Sequence, residues 1–243
     1  MILIDIGNTT INICLTEPTL NVIKSLKTKA LKNHLTSLDQ ELQDLELKAD
    51  ECLISSVVPS LNQSFVAYFK MRYNIDVSFV DISKNNLFKI HLDEPSELGS
   101  DLLMVTYGAR NYFDEAIIVD LGTVSKFLVY QGHDFLGGSI AIGFENSFEA
   151  IFENAEMLNS FVLTMPEHVI ENATNRSIAS GIINGMVALV DGMIKKIKEE
   201  RHIENVILTG GAALFLHPYF ETKLKYVPHL IFEGMIKYAE TQR

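Results

Sequence analysis

The sequence predicts an α/β fold made of two duplicated lobes, residues 1–114 and 115–243. Three observations predict it. First, an apolar run ending in a carboxylate and a glycine occurs twice: as Met1-Ile-Leu-Ile-Asp5-Ile-Gly7-Asn8-Thr9-Thr10, and again as Ile117-Ile-Val-Asp120-Leu-Gly122-Thr123-Val-Ser125. Second, each copy opens its half of the chain with strand signals that helical spacing then follows. Third, the chain has 243 residues, 47% hydrophobic and 21% charged, which is enough for one large or two small domains with a proper core.

Taken in order, residues 1–6 and 11–16 read as strands joined by the turn Gly7–Thr10, an opening hairpin. The charged, Leu-spaced stretch 31–48 reads as a surface helix. Cys52–Val58 is a buried strand stopped by Pro59, residues 60–73 are helical, and Val77–Ile82 is extended. Residues 84–98 are polar, contain Pro95 and read as a loop leading to Gly99. Helical spacing resumes from Ser100 to Phe113.

The second half repeats the theme. Residues 116–120 and 126–131 form a second strand pair around Asp120–Ser125, and Gly137–Ile142 leads into a helix at about 144–158. The longest helix runs from Thr174 to Arg201, with Ile178, Ile182, Met186, Leu189, Met193 and Ile197 forming an apolar face at spacings of three and four. Val206–Thr209 is a last buried strand, ending in Gly210-Gly211.

Composition narrows the partners. A formal net charge of −11 argues against nucleic acid or an anionic membrane as the main partner, since each needs a basic footprint. The first apolar run is short and interrupted by Asp5, so no signal peptide is read. No uninterrupted apolar stretch approaches the ~20 residues of a bilayer span. Cys14 and Cys52 sit inside apolar runs and read as buried free thiols. The simplest location is cytoplasmic.

The chemistry rests on small constellations. Asp5 alone reads as a turn starter. With its second copy at Asp120, the phrase reads as a pair of tight hairpins whose backbone N–H groups face phosphate while the carboxylates attend a counter-ion. Gly210-Gly211 has two readings, a floor for a flat ring or a tight turn. Gly99-Ser100-Asp101 stands at a helix start, where spacing alone favours a cap. The other reading makes Asp101 a general base taking a proton from a substrate hydroxyl. No Walker phosphate loop, dinucleotide fingerprint or metalloprotease motif occurs, and His34, His202 and His229 read as surface residues.

The order of phrases resembles that of the type III pantothenate kinases, in the superfamily that contains actin, sugar kinases and heat-shock ATPases. The likeness runs through Asp5-Ile-Gly-Asn-Thr9, Ile54-Ser-Ser-Val-Val-Pro59, Pro95-x-Glu97-x-Gly99-x-Asp101, Asp120-Leu-Gly-Thr123, Leu136-Gly-Gly-Ser-Ile140 with Gly143, Ser180-Gly-Ile with Gly185, Leu189-Val-Asp-Gly192, Thr209-Gly-Gly211 and Glu233-Gly234. The resemblance implies ribonuclease H-like lobes with mixed sheets flanked by helices and a nucleotide cleft between them. It implies phosphorylation of pantothenate by ATP, the entry step of coenzyme A synthesis. Asp101 would be the base and Asp5 would hold magnesium through water. Gly7, Asn8 and Thr9 would cradle phosphate, with Gly122, Thr123 and Ser125 as the second clasp. Gly210 and Gly211 would lie by the adenosine, and Gly99, Ser100 and Thr174 would line the pantothenate pocket. Asp120 would lie near a monovalent cation, potassium or ammonium. The resemblance also implies a homodimer in which the long helix takes part and Gly181 and Gly185 allow close approach.

The chain departs from that pattern at several places. Leu102 stands where the family usually has an Arg that reaches the substrate carboxylate, and Leu92 replaces a Tyr. Lys126 and Leu128 stand in the stretch after Thr123, and Ile142 replaces a Pro. Lys126 reads as a solvent-facing strand position, the other reading being a cation directed at phosphate or substrate. These departures leave two alternatives: a catalytically eroded nucleotide-binding accessory or regulatory protein on the same fold, or a kinase of another small hydroxy acid.

Overall fold

The computed structural model describes residues 1–31, 35–45, 47, 49–152 and 165–242. His34 and the end of the 144–158 helix beyond residue 152 lie outside the described residues. The chain divides into two units, residues 1–112 with 229–243, and residues 113–228.

The first unit is built on a mixed sheet. Strands β1 (Ile2–Ile6), β2 (Thr10–Leu15) and β3 (Asn21–Lys27) form an antiparallel meander, while β4 (Cys52–Ser56) and β5 (Val77–Phe79) add in parallel on the other side, in the order β3-β2-β1-β4-β5. Helix α1 (Leu35–Leu42) precedes β4, and α2 (Pro59–Tyr73) connects β4 to β5. Pro59 sits at the first helical position of α2, where its missing N–H is no loss, and Asn74 closes the helix in the left-handed region at φ 55°. Ile2, Ile4, Ile6, Ile54, Phe65 and Phe69 form part of this unit's apolar core. A two-residue strand β6 (Lys89–Ile90) follows, then helix α3 (Ser100–Ala109).

The second unit repeats the plan strand for strand. Strands β7 (Glu115–Leu121), β8 (Val124–Gln131) and β9 (Asp134–Ile142) form the meander. After helices α4 (Phe144–Phe152) and α5 (Thr174–Arg201), β10 (Val206–Thr209) adds parallel to β7. Helix α6 (Ala213–Leu216) leads on to β11 (Lys225–Tyr226), which adds parallel to β10. The strand order β9-β8-β7-β10-β11 matches that of the first unit in both sequence and direction. The repeated sequence phrase thus reports a repeated topology.

Helix α5 matches its predicted bounds, Thr174–Arg201. Ile182, Ile183, Met186, Val190 and Ile194 face this unit's core, while Ile178, Leu189, Met193 and Ile197 are only partly buried against it. Among the described helices it is the one whose length and hydropathy would suffice to cross a membrane.

The last helix, α7 (Leu230–Thr241), belongs to the first unit, whereas the sequence reading assigned residues 115–243 to one lobe. Packing explains the difference. α7 lies against α3 so closely that a Cβ at Gly234 would stand 1.7 Å from the Met104 carbonyl oxygen, and one at Gly108 would stand 2.2 Å from that of Leu230. Tyr112 Oη donates to Glu233 (2.7 Å), and Lys237 Nζ donates to Asn111 (2.9 Å).

Candidate active site

In the first unit, the predicted site residues gather where β1 and β4 end and α3 begins. Asp5 is half-buried near the end of β1, in register with Asn12 on one side and Ser55 on the other. The turn that follows is held from two directions. Gly7 N–H donates to the Thr10 carbonyl (3.0 Å), while Thr28 Oγ1 donates to the Gly7 carbonyl (2.7 Å). Thr28 N–H also donates to the Thr9 carbonyl (2.9 Å), so the end of β3 ties down the tip and Asn8 is left exposed. Nothing in the sequence singled out Thr28.

Ser55 and Ser100 join β4 to the start of α3 through a buried hydroxyl pair 2.9 Å apart, and Ser100 Oγ also donates to the Ser56 carbonyl (3.3 Å). The Ser100 hydroxyl is therefore engaged inside the protein. Asp101 follows in the first turn of α3, where the helix N-terminus favours negative charge. Its carboxylate lies over Gly99: a Cβ there would stand 2.4 Å from Asp101 Oδ1, so glycine leaves the space that the carboxylate uses. Gly99 and Ser100 line a depression of about 790 Å³ with Val57, Pro59, Phe79 and Leu98, a size suited to a small molecule. Leu102 is half-buried next along the helix.

In the second unit, Gly122 and Thr123 form the tip of the β7–β8 hairpin, with Thr123 exposed. Gly143 seats against this tip, since a Cβ there would lie 2.1 Å from the Thr123 carbonyl oxygen. The Gly210-Gly211 turn closes on the same strand end. Gly210 has φ +99°, a Cβ on it would stand 2.5 Å from Leu121 backbone atoms, and Ala212 N–H donates to the Leu121 carbonyl (3.0 Å). The structure thus brings Gly122, Thr123, Gly210 and Gly211 together at the end of β7. Thr174 is exposed at the start of α5.

Two side chains differ from their sequence readings. Ser125 faces the core, where its hydroxyl is buried 3.6 Å from Met186 Sδ, so only its backbone is left to a phosphate clasp. Strand alternation puts Lys126 on the other face, yet it does not point to solvent. Lys126 Nζ lies 3.0 Å from Asp120 Oδ2, and the two side chains are 16% and 13% exposed. Leu128 is part of the buried interior.

The fold has counterparts among solved structures. A Campylobacter jejuni protein described as a Baf family transcriptional activator superposes with a TM-score of 0.65 at 20% identity, covering 100% of this chain and 98% of its own. A Sinorhizobium meliloti protein described as a 2-dehydro-3-deoxygalactonokinase gives 0.59 at 14% identity, covering 100% and 95%. These likenesses concern the fold, which is the actin-like fold that sugar kinases share.

Sequence narrows the class. The family profile described as type III pantothenate kinase matches residues 1–196. Type III pantothenate kinases from Sulfurihydrogenibium sp. and Borreliella afzelii are each 30% identical to the chain, the first over 86% of both chains and the second over 96% of this chain and 93% of its own. The chain belongs to the type III pantothenate kinase family, whose reaction is the first step of coenzyme A biosynthesis.

Proposed function

We propose that the γ-phosphate of ATP passes to the pantothenate hydroxyl with Asp101 as the general base, Asp101 taking the hydroxyl proton as its oxygen attacks. The observation that carries this reading is the position of the Asp101 carboxylate: it is held over Gly99 at the α3 N-terminus, next to residues that line a pocket of suitable size. In phosphoryl transfer, positioning and charge stabilisation supply most of the rate gain. With Gly7 N–H held by the Thr10 carbonyl, Asn8 and Thr9 of that turn offer backbone N–H groups to phosphate oxygens, as the tip Gly122–Thr123 does, and Gly210-Gly211 gives the adenosine a surface free of side chains. Gly99 and Ser100 serve the pantothenate pocket, Ser100 by fixing the start of α3.

Asp5 suits magnesium bound through water. Among the described residues no group of three His, Cys, Asp or Glu could cage a metal ion, and magnesium keeps most of its waters when one carboxylate and substrate phosphates hold it. When bound, the ion offsets the charge of the phosphates. The fit of potassium or ammonium at Asp120 is poor, because the Lys126 ammonium already lies there.

A homodimer is supported by the outer face of α5. Gly181, Gly185 and Leu189 line an apolar groove with Ile142 and Ile151, and a Cβ at Gly181 or Gly185 would meet nothing within 4 Å among the described residues. The enzyme is proposed to work in the cytoplasm.

The test is an ATP-dependent phosphorylation assay with pantothenate. Asp101→Asn should lower kcat by about 10²–10⁴-fold while ATP binding is retained. A variant that keeps full kcat sinks the assignment of the base.

A further inference from the structure

We propose that Lys126 is a tethered monovalent cation, so that the β7–β8 hairpin receives phosphate without potassium or ammonium. The inference rests on reading that hairpin as a phosphate clasp. Asp120 and Lys126 are direct partners across the antiparallel β7–β8 ladder, so strand geometry alone puts both side chains on one face of the sheet. Their charged atoms meet at 3.0 Å with little of either side chain exposed.

A carboxylate that has lost most of its water needs one balancing positive charge and good hydrogen-bond geometry. The lysine ammonium provides both, carrying the charge of a potassium ion and three N–H donors. A second, exchangeable cation at the same carboxylate would meet a like charge at close range, which disfavours it.

The position gives the pair its role. Gly122 and Thr123 follow Asp120 after Leu121, the last residue of β7, and a Cβ on Gly122 would lie 3.7 Å from Asp120 Oδ1. The ion pair therefore braces the strand end from which the turn departs. Lys126 is a positioning residue: it acts through Asp120 and the shape of the tip. Because it is covalently attached, its local concentration does not depend on the salt of the medium.

The experiment compares potassium chloride, ammonium chloride and choline chloride at equal ionic strength. Wild-type protein should phosphorylate pantothenate at rates within about twofold in all three salts, because the pair is intramolecular. Lys126→Met should lose about tenfold or more in choline chloride and recover in potassium or ammonium, since the carboxylate it leaves unpaired then needs a cation. Melting temperature with a non-hydrolysable ATP analogue provides a readout separate from turnover. Potassium should raise it for Lys126→Met and leave wild type unchanged.

Strong activation of the wild type by potassium would overturn the proposal. So would loss of activity in Lys126→Met with no recovery in either salt, or a melting temperature of that variant indifferent to potassium. If no salt supports phosphorylation of pantothenate by wild-type protein, the proposed catalytic assignment fails instead, and the melting comparison still decides the role of Lys126.

Discussion

The Ser55 and Ser100 hydroxyl oxygens stand 2.9 Å apart in the interior, linking the parallel strand beside Asp5 to the first turn of the helix that carries Asp101. One buried polar contact thus connects the strand beside the proposed magnesium carboxylate with the helix of the proposed base. Ser100→Ala would leave the Ser55 hydroxyl without this partner, at a cost of about 1–3 kcal/mol. The expected result is a lower denaturant midpoint together with a reduced kcat and a little-changed KM for ATP. Urea titration and steady-state kinetics on one preparation check both.

Leu102 offers a gain-of-function test. It stands one residue after Asp101, where the resemblance places an Arg that reaches the substrate carboxylate. Leu102→Arg should lower KM for pantothenate by about tenfold or more, the size of one charge-assisted hydrogen bond. An unchanged KM in a folded variant would mean that the substrate carboxylate lies elsewhere.

The contact between α3 and α7 leaves no room for a methyl group at Gly234. Gly234→Ala should destabilise the first unit by about 3 kcal/mol or more, since neither backbone can move aside cheaply. Gly185→Ala is the control, because among the described residues a Cβ there meets nothing within 4 Å. Its monomer should melt like the wild type, while Gly185→Leu should shift any dimer toward monomer in sedimentation.

Burial sets an alkaline limit on stability. It pushes the Cys14 thiol up to about 11 and that of Cys52 up to about 12, from an ordinary value of 9.0. The folded protein therefore holds these protons more tightly than the unfolded chain. Their contribution is complete below about pH 9 and is lost progressively as pH rises toward the folded values. Denaturation curves from pH 7 to 10.5 should show the decline, and it should shrink in the double variant Cys14→Ala/Cys52→Ala. At neutral pH neither thiol should react with a disulfide reagent until the protein unfolds.

The sequence was most readable where one physical signal dominated. Helix α5 met its predicted ends because its apolar spacing is long and His202 closes it in the left-handed region at φ 58°. The two hairpins were legible because each pairs an apolar strand with a glycine tip. Strand β3 was missed because it lies at the sheet edge and, apart from Leu26, is only partly buried, so its pattern is largely polar. Helix α7 was missed because its motif, Glu233-Gly234, was read as an isolated phrase, whereas Gly234 is there for contact with α3. The site followed the same rule. Glycines constrained by their own turns could be identified, but the pairing of Lys126 with Asp120 depends on strand register, and the burial of Ser125 depends on which face of β8 meets the core.

The return of α7 to the first unit makes that unit discontinuous, with the whole of residues 113–228 placed between its parts. Ribosomal synthesis runs in one direction, so the later unit emerges complete while the earlier one still awaits its closing helix. The nascent chain must therefore keep the α3 surface around Met104 and Gly108 uncovered until the final segment arrives. Defects in α7 should accordingly appear as late assembly failures, with residues 113–228 already folded.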